Sequence, residues 1–351
     1  MVDKSEDILS LNRDEMGAWM QRQGWPRYRG NQLFGALWRQ RAATYEQISS
    51  WPKELRQTMS ERAPFYRLQA VTVQKDRDGT RKILARLWDG QQVEIVVLPH
   101  NYGYSVCVSS QVGCNMGCKF CASGILKRTR NLTAGEMLDQ VRLANDLISP
   151  EDRIISRVDL MGIGEPLDNY DNVIRFIKVA HDSQGFNLGY RHFTVSTSGL
   201  VPDIYRLARE HLPITLAVSL HAPNDALRSR LMPVNKAYPI DRLIAASKFY
   251  FEETGRRVSF EYALLAGIND SGEMAHQLAD LLQGLSCHVN LIPWNPVPEH
   301  PFQPSQKKLV EEFQRIVQNR GISCTIRKEM GQDIEAACGQ LRRREEELLS
   351  P

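Results

Sequence analysis

The residues best suited to chemistry stand together in "VGCNMGCKFCASG", which puts Cys114, Cys118 and Cys121 within eight residues. Soft-metal sites built from cysteine take four ligands, so the fourth position is the first question. A zinc site would need another Cys or His; no second pair lies nearby, and His192 or Cys107 would have to be recruited. An iron–sulfur cluster on three thiolates instead leaves one iron without a protein ligand, the open position that catalysis at a metal requires. Gly113 and Gly117 give the loop the tightness to turn all three thiols inward on one cluster.

The chain has seven cysteines in 351 residues. No uncharged apolar run has the length of a membrane span, and the first residues lack the hydrophobic core of a signal peptide. The expectation is a cytoplasmic protein with no membrane partner, where an odd, clustered set of cysteines favours metal binding or catalysis over a disulfide framework. Cys287 in "GLSCHVNLI" and Cys324 in "GISCTIR" read as small buried hydrophobes. Cys107 and Cys338 have no such easy reading.

The elements that must position these groups fall into regions. Residues 1–65 read as a small helical domain. Between Met16 and Tyr45 it carries Arg22, Arg27, Arg29, Arg39 and Arg41 with no acid, interleaved with Trp19, Trp25, Tyr28, Phe34, Trp38 and Tyr45. Arginines neutralise phosphate and aromatics stack on bases, so the segment is a candidate RNA footprint; equally, the aromatics make a helical core with solvated arginines. Residues 66–100 alternate in three runs split by "KDRDGT" and Asp89-Gly90, the pattern of an antiparallel meander. Over 101–335, β-branched runs alternate with helical segments about six times, with a late run at "ISCTIRKE". That order implies an α/β fold with a parallel sheet, open or partly closed as a barrel, whose chemistry collects at the C-terminal strand ends. The polar oddities do fall there: the cysteine triplet after the first run, then Gly162, Gly164 and Glu165, Ser196 and Ser198, Ser219 and His221, and Asn295.

The C-x3-C-x2-C spacing, with Phe120 before the last cysteine, resembles the signature of the radical S-adenosylmethionine (SAM) enzymes, and "MGIGEP" resembles their Gly-Glu turn. That resemblance implies a partial (β/α)6 barrel and a [4Fe-4S] cluster on Cys114, Cys118 and Cys121 whose open iron is chelated by SAM. A closer likeness runs through almost the whole chain: "YRGNQLFGALWRQR", "CVSSQVGCNMGCKFCASG", "MGIGEPLDNYDNV", "SLHAPND", "LMPVNKAYPID", "CHVNLIPWNP" and "TIRKEMGQDIEAACGQL" are similar to the RlmN/Cfr RNA methyltransferases.

The family likeness implies that Cys338, in the C-terminal segment 336–351, is methylated by one SAM and carries its carbon to adenine after a second SAM is cleaved, two per turnover. It implies that Cys107 resolves the protein–RNA crosslink by a disulfide with Cys338, and that Glu94 accepts the ring proton. Read from its strand alone, Glu94 in "QQVEIVVLP" is a solvated residue sharing a face with Gln92, Val96 and Leu98. Gly164, Glu165, Ser196, Ser219, Leu220, His221 and Asn295 are the implied SAM contacts. The implied partners are 23S rRNA and tRNA, with a flavodoxin- or ferredoxin-type electron donor and a monomeric enzyme. Pro166 is similar to the RlmN branch, which methylates carbon 2; the Cfr branch methylates carbon 8. Ile163 departs from the usual methionine. The contrasting possibility is a non-catalytic, metal-stabilised RNA-binding protein.

Overall fold

The computed structural model describes residues 7–125, 127–148, 154–328, 330–334 and 336. The chain opens with three short helices, α1 (Arg13–Arg22), α2 (Tyr28–Trp38) and α3 (Lys53–Arg62). Asn12 and Glu15 form a reciprocal capping box that starts α1, satisfying two orphan N–H groups. Pro52 immediately precedes α3, where its missing N–H costs nothing. Trp19, Phe34, Trp38 and Tyr45 are all buried, so these aromatics build the helical core and are not available to stack on bases. Tyr28 remains half exposed, with Arg29 over its ring at 4.9 Å, and Arg22, Arg27 and Arg39 face solvent. Hydrophobic burial therefore decided between the two uses of the aromatics.

The meander is β1 (Gln69–Lys75), β2 (Arg81–Arg86) and β3 (Gln92–His100), antiparallel throughout. It runs on into β4 (Gly103–Cys107), which pairs antiparallel with β3 and parallel with β7 (Ile155–Leu160). Between them lie a ribbon of β5 (Gln111–Val112) and β6 (Arg130–Asn131) and helix α4 (Ala134–Ile148). The alternation continues through α5 (Tyr170–His181), β8 (Phe193–Thr197), α6 (Val201–Ala208), β9 (Thr215–Ser219), α7 (Asp225–Leu231), α8 (Ile240–Thr254) and β10 (Val258–Leu264). It ends with α9 (Gly272–Leu282), β11 (Cys287–Pro293), α10 (Lys307–Asn319) and β12 (Ser323–Ile326).

All ten long strands form one sheet in the order β1-β2-β3-β4-β7-β8-β9-β10-β11-β12. From β4 onward every pairing is parallel. β12 is the late run, a seventh strand on the six-strand pattern. The apolar alternate residues face the helices; Phe260 and Tyr262 of β10 are buried, and Tyr262 packs on Phe313 of α10 with ring centroids 5.2 Å apart. Parallel strands are usually apolar on both faces. Here the opposite residues are Ser259 and Glu261 on β10, His288 and Asn290 on β11, and Thr325 on β12, joined by hydrogen bonds of 2.9–3.1 Å. A polar inner face marks where this sheet handles a ligand and not only a core.

Helix α4 locks the helical layer to the sheet. Its Asp139 is fully buried and accepts from Arg67 Nη1 at 2.8 Å, from the Leu68 N–H at 2.5 Å and from Arg142 Nε at 2.5 Å. Arg67 in turn donates to the carbonyls of Leu37 and Ala42, just where α2 ends. Cys287 and Cys324 are buried among apolar side chains, as their sequence surroundings suggest.

Candidate functional site

The inner face opens at the C-terminal strand ends into one cavity. It is lined by Cys114, Cys118 and Cys121 from the loop after β4, by Gly164 and Glu165 after β7, by Ser196 to Ser198 at the end of β8, by Ser219 and His221 at the end of β9, and by Trp294 after β11. The cysteine loop is built on turns: Gly113 and Gly117 both have positive φ, the Cys121 N–H donates to the Cys118 carbonyl at 3.3 Å, and the Lys119 N–H donates to the Leu231 carbonyl at the end of α7. Trp294 Nε1 donates to the Phe120 carbonyl at 3.0 Å, and the Phe120 ring meets His221 edge-on with centroids 4.7 Å apart. Burial pushes the Cys114 thiol up to about 12 and the Cys118 thiol well above its ordinary value. Bare, these thiols hold their protons; a cation that takes them as thiolates must displace those protons.

Among the described residues, no three His, Cys, Asp or Glu converge as they would on a single ion. Three thiols that face one cavity without converging on a point suit a cluster, in which each iron takes one thiolate. The cavity also holds a polar group awaiting a partner. Glu261 is 4% exposed, and its Oε1 accepts from Ser259 and Asn290 at 3.1 and 2.9 Å. Its Oε2 has no hydrogen bond, with Arg327 Nη1 the nearest cation at 3.9 Å. Three thiolates beside an unsatisfied carboxylate oxygen fit an iron–sulfur cluster together with a polar cofactor.

The turn after β7 is fixed by its backbone. Gly164 has φ of +111°, and a Cβ there would lie 2.7 Å from Gln111 Cβ and 2.8 Å from its backbone N. No other residue fits. The turn aims Glu165 inward: its N–H donates to Gln111 Oε1 at 2.9 Å, while its carboxylate accepts from the N–H groups of Leu167 and Ser198 at 3.1 and 2.7 Å. Burial raises this carboxyl above its usual range, partly offset by the bonds from Ser198 and Leu167. His221 sits at φ +57°, and its Nδ1 accepts the Ala263 N–H at 2.9 Å, so the neutral ring carries its proton on Nε2. Burial, with Arg228 nearby, pushes this imidazole down to about 3.

Of the residues singled out from sequence, Leu220 and Asn295 are buried next in sequence to lining residues but do not themselves line the cavity. Both Leu220 backbone groups hold the strand end, its N–H to the Glu261 carbonyl and its carbonyl to Arg228. Glu94 is 3% exposed, not solvated, because β3 is interior to the sheet with β2 and β4 on either side. It pairs with the buried Lys82 at 3.6 Å. Cys107 packs with Val96, Ile163 and Ala336, with Met161 against the same group and also lining the cavity. Cys338 lies outside the described residues.

Arg228 was not singled out from sequence and is fully buried. It donates to the carbonyls of Ser198, Ser219 and Leu220 and to Asn235 Oδ1, at 2.7 to 3.1 Å, tying the ends of β8 and β9 together. Its partners are mostly main-chain carbonyls, which leave no mark in a sequence. Glu261 and Arg327 escaped notice for a similar reason: only strand register puts them on the inner face.

Comparison with known proteins agrees with this geometry. Residues 108–280 match the family model described as the radical SAM superfamily. The chain is 46% identical over 342 residues to the probable dual-specificity RNA methyltransferase RlmN of Bacillus cytotoxicus, covering 97% of this chain and 94% of that protein. It is 45% identical, with the same coverage, to the corresponding protein of Bacillus thuringiensis. The crystal structure of a radical SAM methyltransferase from Sphaerobacter thermophilus superposes with a TM-score of 0.93 at 48% identity, covering 95% of this chain and 98% of that one.

Proposed function

Because the chain belongs to the RlmN-type RNA methyltransferases of the radical SAM superfamily, using a [4Fe-4S] cluster and SAM on RNA, we propose that its product is 2-methyladenosine. The proposed targets are the adenosine near the peptidyl-transferase centre of 23S rRNA and the adenosine beside the anticodon of tRNAs. When bound at Cys114, Cys118 and Cys121, the cluster with SAM supplies reductive cleavage to a carbon radical able to take a hydrogen atom from an unactivated methyl group.

The remaining work falls to the chain's own residues. Glu165, Ser196, Ser219 and His221 line the cavity as polar contacts for SAM, with Gly164 allowing close backbone approach; Leu220 and Asn295 are proposed to act through their backbone and neighbours. Carbon 2 of adenine does not accept a methyl cation directly, so the covalent route divides the reaction. Cys338 first takes a methyl as a thioether, then gives up a hydrogen atom from it to the carbon radical that the cofactor would supply, and the carbon bonds to carbon 2. Glu94 takes the ring proton while the adduct's unpaired electron would return to the cluster. The Cys107 thiolate bonds to the Cys338 sulfur, the sulfur–carbon bond breaks with its electron pair going to the carbon, that carbon takes up a proton to become the methyl group, and the methylated base leaves a disulfide that must be reduced before another cycle.

One observation carries this route: Ala336, two residues before Cys338, is packed in the same buried group as Cys107. Two residues of chain extend at most about 7 Å, and a disulfide joins Cα atoms about 4.4–6.8 Å apart, so the pairing is within reach. A flavodoxin- or ferredoxin-type electron donor and action as a monomer belong to the same proposal.

The test begins with mass spectrometry of the Cys338 peptide from protein purified with its cluster. A one-methyl increment that is lost in Cys338→Ala is the expected result, followed by 2-methyladenosine in digests of treated RNA. An unmodified Cys338 after exposure to SAM would overturn the covalent route, and 8-methyladenosine would move the enzyme to the Cfr-type reaction.

A further inference from the structure

The hairpin turn "KDRDGT" joins β1 to β2 and is a plain turn by sequence, yet it grips the far end of the chain. The Gly331 N–H donates to Asp78 Oδ2 at 3.1 Å, and the Asp333 N–H donates to Asp76 Oδ2 at 3.2 Å. Asp78 is held for this by the turn itself, accepting the Thr80 N–H at 2.8 Å. The gripped segment is a single 3-10 turn, Gln332–Ile334, closed by the Ala336 N–H donating to the Gly331 carbonyl at 2.9 Å. Its two ends have different attachments: Gly331 and Asp333 lie on the turn, while Ala336 is buried against Cys107, Val96 and Ile163.

Gly331 reveals how close this docking is. Its φ is +70°, and a Cβ would lie 2.7 Å from Ala336 Cβ and 2.9 Å from Thr80 Cγ2, pressing on both the plug and the turn. Among the described residues the other attachments are weak: Arg77 Nε lies 3.9 Å from Asp333 Oδ2 with both side chains exposed, and Ile334 packs half-buried beside Ala336. Asp78 is exposed and Asp76 half-buried, so water competes for both carboxylates. Among the described residues of the segment, the one fully buried apolar side chain is the Ala336 methyl group.

We propose that the β1–β2 turn is a catch for the carrier segment: Asp76 and Asp78 hold residues 331–334, and with them Ala336 against Cys107, and so set how readily the Cys338 sulfur is delivered for crosslink resolution. This rests on the covalent route described above. That route requires the Cys338 sulfur to serve the cofactor at one stage and Cys107 at another. Among the described residues this docking consists of two water-accessible hydrogen bonds, one exposed ion pair and the small apolar contacts of Ile334 and Ala336, strong enough to favour the Cys107 stage and weak enough to release. Asp76 and Asp78 are positioning residues; they touch neither cofactor nor base.

The test uses full-length, cluster-loaded Asp76→Ala/Asp78→Ala protein, SAM and a transcript carrying the target adenosine, with Cys107→Ala as the reference that cannot resolve. Expected are unchanged iron content and Cys338 methylation, faster hydrogen exchange across residues 330–336, and a several-fold higher steady-state fraction of protein–RNA crosslink. Asp78→Asn, which keeps an acceptor oxygen, should restore most of the resolution. Gly331→Ala, which disturbs the docking from the other side, should also accumulate crosslink. If Cys107→Ala traps crosslink but the double variant resolves it at the wild-type rate, the catch is overturned while the route stands. A parallel fall in Cys338 methylation would likewise overturn it, because the turn would then act before resolution. If Cys107→Ala traps nothing, the route fails and the catch with it.

Discussion

His221 is a side chain whose charge the fold controls. Buried, and accepting a backbone N–H at Nδ1, it stays neutral down to about pH 3, against an ordinary value of 6.5. Between those values an unfolded chain binds a proton that the folded chain refuses. The contribution of this group is therefore complete above pH 6.5 and is lost as pH falls, at up to about 1.4 kcal/mol per unit. Denaturant unfolding of cluster-free protein at about pH 7 and about pH 5 should show this loss. His221→Asn tolerates the positive φ and should lower the slope, leaving the part that the depressed His100 and His288 contribute; an unchanged slope would mean the ring is protonated in the fold. Arg228 is the contrasting case, a buried guanidinium held by carbonyl oxygens and pushed by burial down to about 10, which leaves it charged at neutral pH.

Among the elements, α4 has the most work outside the site. Thr133 and Glu136 cap its start, with the Thr133 N–H donating to Glu136 Oε2 at 2.9 Å and Arg130 bidentate on the same carboxylate. One turn later, Asp139 is the hub between Arg67, Arg142 and the Leu68 backbone. Asp139→Ala strands a buried Arg67 without its counter-charge, and breaking a buried pair from one side costs about 3–5 kcal/mol. The expected outcome is a lower denaturant midpoint, together with early protease cleavage between the helical layer and β1. A loss below about 1 kcal/mol would mean that Arg67 finds water or its carbonyl partners sufficient.

At the scale of the whole molecule, the chain separates an apolar shell from a polar inner face, and places a helical layer with solvent-facing arginines against α4 and α5. No helix among the described residues is long and apolar enough to cross a membrane. Apart from the half-exposed Tyr28, the aromatics of that layer pack in or against the core, so its contribution to RNA binding should be mainly electrostatic and independent of sequence. Arg22→Glu with Arg39→Glu should weaken RNA binding roughly tenfold at low salt and reduce the slope of log affinity against log salt by about 1 for each phosphate left unneutralised. SAM binding should be unchanged. An unaltered salt slope would move the RNA path off this face.

The sequence by itself determined whatever depends on near neighbours along the chain. Ligand spacing in the cysteine loop, the period-2 and period-3.6 patterns, and the glycine at position 164 are local properties, because side-chain direction repeats every two or 3.6 residues. They were enough to assign the alternating fold and to expect the polar residues at its strand ends, and the cavity there brings most of them together. Only the tertiary structure decided which residues share a space across long separations. Glu94 looked solvated until two neighbouring strands covered it, and the arginine-flanked aromatics suited a helical core as well as base stacking until packing buried Trp19, Phe34, Trp38 and Tyr45. Arg228 binds carbonyls from two strand ends, Glu261 owes its unsatisfied oxygen to the register of β10 against β11, and Ala336 meets Cys107 across most of the chain. Register and loop closure, which pair residues far apart in sequence, are properties of the packed chain, and no local pattern encodes them.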